Sequence, residues 1–218
     1  MSKKEVAIIG LGSFGEVVLK NLISEGSDVL VIDRNKEIVN KVAQVASHAV
    51  IADSTNEEAL KQLGITNFDQ VIVAIGQDVH ASILTTLVLK DMGVNNLIVK
   101  VSDENHAKII RKIGADQIVF PDRDTGFRLA RRIVHDGLVD FVELNDSHSM
   151  AQVVIENDSI CNKPLIDLDL TNKHNIIISA IKRDEKIIIP GANTQFHKGD
   201  TLIIIGNNDS ISKFTTII

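Results

Sequence analysis

Three glycines and an acid carry the most legible chemistry of this chain. Gly10-x-Gly12-x-x-Gly15 follows directly on one apolar run and opens a helical pattern, and Asp33 closes the next apolar run. Residues of these types at this spacing are suited to hold an anion. Gly10 permits a tight turn, Gly12 lets a phosphate approach the backbone, and Gly15 lets the helix pack on the strand. The helix start then offers unpaired N–H groups and the positive end of a dipole. A carboxylate at Asp33 accepts both hydroxyls of a ribose and repels a 2′-phosphate, which points to an adenosine ligand without that phosphate; the neighbouring Arg34 weakens the exclusion. Further along, Ala52-Asp53-Ser54-Thr55 ends a third apolar run on the side where adenine would lie. Asp53 there either bonds the amino group of the base or caps the helix that follows. A fourth run passes into Ala74-Ile75-Gly76, small residues that leave room for phosphates. Lys100 ends a fifth, where it reaches a phosphate oxygen or stands as a solvated strand end.

Those residues need a scaffold, and residues 6–120 supply an alternating one. Strand-like runs fall at Val6–Ile9, Val29–Ile32, Ala49–Ile51, Val71–Ile75, Leu97–Val101 and Gln117–Phe120. Helical patterns lie between them at Phe14–Ser24, Lys36–Ala46, Asn56–Leu63, Val79–Met92 and Glu104–Ile113. Continuous Val/Ile runs separated by helices predict a parallel sheet covered on both faces. Gly26, Gly64, Gly93 and Gly114 each follow a helix where a left-handed residue is wanted. Asp53-Ser54-Thr55 offers capping oxygens before the third helix, with Glu57 and Glu58 in its first turn. The expected fold class is α/β: a Rossmann-type doubly wound parallel sheet, then a crossover helix, then a small C-terminal α+β domain.

Pro121 breaks the alternation. In "PDRDTGFRLARRIVHDG" acids come first and arginines later, as a helix dipole prefers, and Phe127, Leu129, Ala130, Ile133 and Val134 form an apolar stripe. This segment is either a further surface helix or a linker helix packed on a second subunit. From Leu138 short β-branched runs with turns take over, and "IKRDEKIII" reads as a hairpin with Arg183-Asp184-Glu185 at its tip. The predicted domains are 1–121, a helix over 122–137, and 138–218.

Composition narrows the function classes. A formal charge of −6 argues against non-specific nucleic-acid binding, which needs a basic face, and no nucleic-acid partner is expected. The single cysteine, Cys161, allows no internal disulfide or CxxC site, and the seven histidines form no HxH or HxxxH pair. The N-terminus enters a strand at once, without a signal peptide's apolar core, and no apolar run approaches the roughly 20 residues that span a bilayer, so a cytosolic protein is expected. A dehydrogenase would need an acid–base group against the nicotinamide. His80 is the nearest candidate, more often structural than catalytic at a helix start, and without any tyrosine a Tyr-Lys reductase is excluded. The nucleotide looks read rather than consumed, with an NAD-dependent oxidoreductase as the alternative.

Taken in order, GLGSFG, VLVID, ASHAVIADST, DQVIVAIGQDVHASILTTLVLKDMG and KIGADQIVFPDRD, followed by a small β-rich domain, closely resemble the regulatory subunits of Ktr/Trk potassium-uptake systems. These pair an RCK (TrkA-N) domain with a TrkA-C domain. The resemblance implies homodimers assembled into an octameric cytoplasmic ring, docked on the inner face of the membrane beneath a potassium-translocating subunit of the KtrB/TrkH type. It implies ATP or ADP in the N-terminal domain, with NAD(H) in some relatives, and ligand positions at Gly10, Gly12, Ser13, Phe14, Gly15, Asp33, Lys100 and Asp122. The segment after Pro121 matches the family's crossover helix. Serine stands at position 13 where the family commonly has an arginine that answers the terminal phosphate of ATP; its hydroxyl donates one neutral hydrogen bond. Aspartate stands at 122 where glutamate is common, and there the resemblance implies a Mg²⁺ or Na⁺ bridge. Cyclic di-AMP between two C-terminal domains is implied at Leu170 to Ile178 with Pro190, where Thr171 replaces a usual arginine.

Overall fold

The computed structural model describes residues 3–134 and 137–218. The chain divides into two compact units, one ending at Asp122 and one spanning Arg123–Ile218. The first contains β1 (Glu5–Ile9), α1 (Ser13–Ser24), β2 (Asp28–Asp33), α2 (Lys36–Val42), β3 (His48–Ile51), α3 (Glu57–Gln62), a 3₁₀ turn (Ile65–Asn67), β4 (Gln70–Val73), α4 (Val79–Asp91), β5 (Leu97–Lys100), α5 (Glu104–Ile113) and β6 (Gln117–Val119). All six strands are parallel, in the order β3-β2-β1-β4-β5-β6. Alternate residues of each strand feed two separate cores. Ala7, Ile9, Leu30, Ile32, Val71 and Val73 enter one, and Val6, Ile8, Val29, Val31 and Ile72 enter the other. Burial on both faces is why these strands read as unbroken Val/Ile runs.

Helix ends follow local chemistry. Gly26, Gly64, Gly93 and Gly114 all have positive φ, which satisfies the last turns at little steric cost. Several boundaries differ from the sequence expectation. Helix α2 stops at Val42 rather than Ala46, because Ser47 is drawn back to the sheet: its hydroxyl accepts from Val29 N at 3.1 Å and donates to Asp28 at 3.3 Å. Helix α3 is capped by Asn56, whose Oδ1 accepts from Ala59 N, and not by Asp53, which instead closes a turn on Thr55. Strand β4 ends at Val73, since its neighbour β1 ends at Ile9 and the ladder closes with Ala74 N donating to Ile9 O at 2.7 Å.

Helix α6 (Pro121–Val134) begins at the proline, as expected for a residue whose missing N–H costs nothing there. The expected helix over 122–137 includes residues 135 and 136, which lie outside the described residues. Then come β7 (Leu138–Glu143), β8 (His148–Val154), α7 (Leu165–Leu168), α8 (Leu170–His174), β9 (Ile176–Arg183), β10 (Lys186–Ile188), β11 (Thr201–Asn207) and α9 (Asn208–Thr215). The second sheet is antiparallel, in the order β10-β9-β11-β8-β7. Along β8 and β11 buried residues alternate with partly exposed ones, so one face holds the core around Phe141, Phe196 and Phe214. The β9–β10 hairpin turns on Asp184 and Glu185, both at positive φ, as a twist-matched two-residue turn requires. Arg183 is not at the tip: its guanidinium lies along Asp200, with Nε to Oδ1 and Nη2 to Oδ2 each at 2.7 Å.

Candidate functional site

The C-terminal ends of the parallel strands open on a cavity of about 670 Å³, the size of a small-molecule site. It lies where the strand order reverses between β1 and β4, the place at which open α/β sheets bind ligands. Gly10, Gly12, Ser13, Phe14, Asp33, Arg34, Asp53, Ser54, Ala74, Ile75, Gly76, Lys100 and Asp122 line it together; of the N-terminal ligand positions expected from sequence, Gly15 alone is not in the wall.

The glycines divide by what excludes a side chain. A Cβ on Gly15 would lie 2.3 Å from the Gly10 carbonyl oxygen, and Gly10 itself has φ +93° with Ile75 N 3.0 Å from a built Cβ. These two are demanded by the fold. Gly12 has ordinary dihedrals, and a Cβ there would meet nothing within 4 Å. The space beside it belongs to the cavity. Helix α1 starts at this point with no side chain capping it, so its first-turn N–H groups have no donor-satisfying partner from its own cap. Unfilled space, uncapped donors and the dipole's positive end coincide, which suits an anion.

Asp33 holds the glycine turn to β2. Its Oδ2 accepts from Leu11 N and its Oδ1 from Asn35 N, each at 2.8 Å. Each oxygen retains a further lone pair for a ribose hydroxyl. Asp53 Oδ1 accepts from Thr55 N at 2.9 Å and from Thr55 Oγ1 at 2.7 Å, and these bonds outweigh partial burial to hold its carboxyl below the ordinary range. Ser54 is buried and shares a 2.8 Å hydrogen bond with the buried Thr85 of α4. That link, invisible in sequence because it spans 31 positions, fixes the loop after β3 to the helix across the cavity.

Lys100 is only 13% exposed; its ammonium lies 3.9 Å from Asp122 Oδ2 and 5.7 Å from the centre of the Phe14 ring. Gly76 has the room for it, since a Cβ there would meet Lys100 Nζ at 3.2 Å. Asp122 itself is 91% exposed, in the first turn of α6. Arg34 pairs with Asp78 at 3.3 Å. Asp78 caps α4 through Ala81 N at 2.9 Å, and this Asp ahead of an apolar helical run was a legible cap signal. The walls thus carry four carboxylates, Asp33, Asp53, Asp78 and Asp122, against the two fixed cations Arg34 and Lys100. His80 is exposed in the same wall. Among the described residues no group of three ligating side chains could hold a metal ion, and no helix is long and apolar enough to cross a membrane.

The TrkA-N domain model matches residues 6–121 and the TrkA-C domain model matches residues 150–218. Ktr system potassium uptake protein C of Bacillus subtilis (strain 168) is 47% identical over 97% of this chain and 96% of its own length. Ktr system potassium uptake protein A of the same organism is 38% identical over 98% and 96%. The chain belongs to the Ktr family of potassium-uptake proteins. Membership of this family, which is not one of enzymes, sets aside the oxidoreductase alternative and leaves His80 without a catalytic role. The Ktr chain also shares its fold with the RCK region of the GsuK channel bound to NAD, with a TM-score of 0.71 at 15% identity, over 99% of this chain and 39% of that one.

Proposed function

We propose that this Ktr-family chain is the cytosolic nucleotide sensor of a potassium-uptake system, in which ATP or ADP, or NAD(H), bound over β1–β5 biases the shape of a subunit ring that gates a membrane potassium-translocating subunit of the KtrB/TrkH type. The observation that carries this reading is the open space at Gly12 above an uncapped helix start, in one cavity with Asp33 and Lys100. The phosphates lie on the first turn of α1 with Lys100 as their cation, and the ribose hydroxyls bond Asp33. Asp53 accepts from the base's amino group through its open Oδ2. Ser13 contributes one neutral hydroxyl to the phosphates, so ATP and ADP differ less here than they would with a cation at that position.

An excess of carboxylates in the walls makes a polyphosphate costly to bind unless its charge is met. Asp122 with phosphate oxygens suits Mg²⁺, which is held by one or two carboxylates plus substrate phosphates; Na⁺ is the alternative. Such an ion would supply charge neutralisation. A ligand shifts a ring only by binding one of its shapes better, and couplings of about 1–3 kcal/mol per site are typical. Helix α6 supports assembly: none of its residues is buried, and Leu129, Ile133 and Val134 are 54%, 73% and 74% exposed. We assign this face to a second copy in a homodimer, the unit of an octameric ring. The apolar groove of about 300 Å³ lined by Leu165, Ile166, Leu170 and Ile176–Ile178 has one carboxylate, Asp169, and no cation in its walls, which favours a protein contact over dianionic cyclic di-AMP.

Calorimetric titration of nucleotide-stripped protein with ATP, ADP, NADH and NAD, with and without Mg²⁺, tests the reading. ATP and ADP binding that weakens in Lys100→Gln supports it. Absence of binding by all four removes it, and binding of NAD(H) alone makes the chain a redox-reading gate.

A further inference from the structure

We infer that Asp78 is a specificity-determining residue of the cavity: by holding Arg34 it withholds the one fixed cation near the ribose, so that the site takes adenosine ligands with a free 2′-hydroxyl and rejects those carrying a 2′-phosphate. The inference rests on the adenine-nucleotide reading above and adds to it a discrimination that Asp33 alone would not complete. Arg34 directly follows Asp33 at the end of β2, where a guanidinium is placed to answer a phosphate on the ribose. Left unpaired, it would offset the repulsion between Asp33 and that phosphate. In the structure its Nη1 is instead 3.3 Å from Asp78 Oδ2, in the segment between β4 and α4 that also lines the cavity. Asp78 is not a passing partner, because its other oxygen is fixed by Ala81 N at the start of α4. Arg34 also lies close enough to Asp53 to favour that residue's ionised form. One guanidinium therefore serves two carboxylates, Asp53 and Asp78, and with Asp33 beside them the ribose end of the cavity is left with an excess of negative charge. The remaining fixed cation, Lys100, lies at the end of β5 beside Phe14, three strands away from β2.

A 2′-phosphate can recruit Arg34 only by separating it from Asp78. Arg34 is 71% exposed and Asp78 37%, so the pair is worth what an exposed ion pair is worth. Its loss should change discrimination by about fivefold and no more. Asp78→Asn is the informative variant, since asparagine keeps the cap on α4 while losing the charge.

The test measures displacement of a fluorescent ADP analogue by AMP and by adenosine 2′,5′-bisphosphate, which differ only in the 2′-phosphate. Wild-type protein should prefer AMP. Asp78→Asn should narrow the preference about fivefold, Arg34→Gln alone should leave it close to wild type, and Arg34→Gln added to Asp78→Asn should restore it. A purely structural Asp78 would weaken both ligands equally. Normal AMP binding with an unchanged ratio in Asp78→Asn overturns the inference, as does a narrowing that persists without Arg34. If neither AMP nor ADP displaces the analogue from wild-type protein, the adenine-nucleotide reading falls first and takes the inference with it.

Discussion

In the unit ending at Asp122 every central strand is buried on both faces, whereas in Arg123–Ile218 the antiparallel sheet buries one face and leaves Val139, Val142, Ile177 and Ile187 at least 40% exposed. The polar groups are distributed just as unevenly. The first unit brings Asp33, Asp53, Asp78, Asp122, Arg34 and Lys100 together around one cavity, while the second keeps the ion pair of Arg183 with Asp200 inside the fold. A two-sided sheet has no face left to offer, so recognition moves to its edge, where small ligands fit. A one-sided sheet keeps a face open to solvent.

The sharpest break between demands of folding and demands of ligand lies within the glycine turn. Gly15→Ala should cost more than about 3 kcal/mol, because the new methyl would collide with the Gly10 carbonyl and neither backbone can yield. Gly12→Ala should leave the denaturation midpoint within about 1 kcal/mol of wild type while weakening ADP binding measurably by calorimetry. Equal destabilisation by both would show that the space at Gly12 has no ligand meaning.

In the second unit, Arg183→Leu should cost about 3 kcal/mol, the low end for breaking a buried pair, since Asp200 is 2% exposed and would lose both guanidinium bonds. ADP affinity should be unchanged in that variant. Conversely, Lys100→Gln should lower ADP affinity about tenfold and flatten its salt dependence, with little effect on urea midpoint. A large stability loss in Lys100→Gln would mean that its contact with Asp122 serves the fold.

Acid should separate the two units as well. His106 is 3% exposed with no partner on Nε2, and burial pushes its imidazole pKa down more than Asp103 pulls it up. It stays neutral in the fold while the unfolded residue takes a proton below about pH 6.5, so its contribution is full above that value and is lost as pH falls. Asp200 behaves in the same direction at lower pH. Burial raises its carboxyl, but Arg183 and the His197 N–H outweigh this and hold it below the ordinary value of 3.8, so its stabilisation is complete above 3.8 and fades only beneath it. Urea midpoints at pH 7.5 and 5.5 should therefore fall in wild type and fall less in His106→Leu. The same slope in both would place the acid sensitivity elsewhere. The smallest effect expected is on assembly, where Ile133→Asp should shift the mass measured by light scattering toward smaller species without altering ADP binding.

What was legible in the sequence follows the range of the interaction. Strand and helix order, the glycine turn and the β9–β10 hairpin are set by neighbours a few positions apart, and each leaves a pattern. Asp53 misled as a cap because Asn56, three residues on, offers the same chemistry one turn closer to the helix. The early end of α2 depends on Ser47 reaching Asp28 across the sheet, and the inward turn of Arg183 depends on Asp200. Ser54 with Thr85 of α4, and Arg34 with Asp78, likewise join residues far apart in the chain. None of these has a local signature, and the last two pairs shape and charge the cavity.

Phe14 has a practical value beyond its place over Lys100. The chain contains no tryptophan and no tyrosine, so it has no indole or phenol emission of its own. Phe14→Trp would place one indole where the Phe14 ring now lies 5.7 Å from the Lys100 ammonium, and a change in its emission would report occupancy in real time without a labelled ligand.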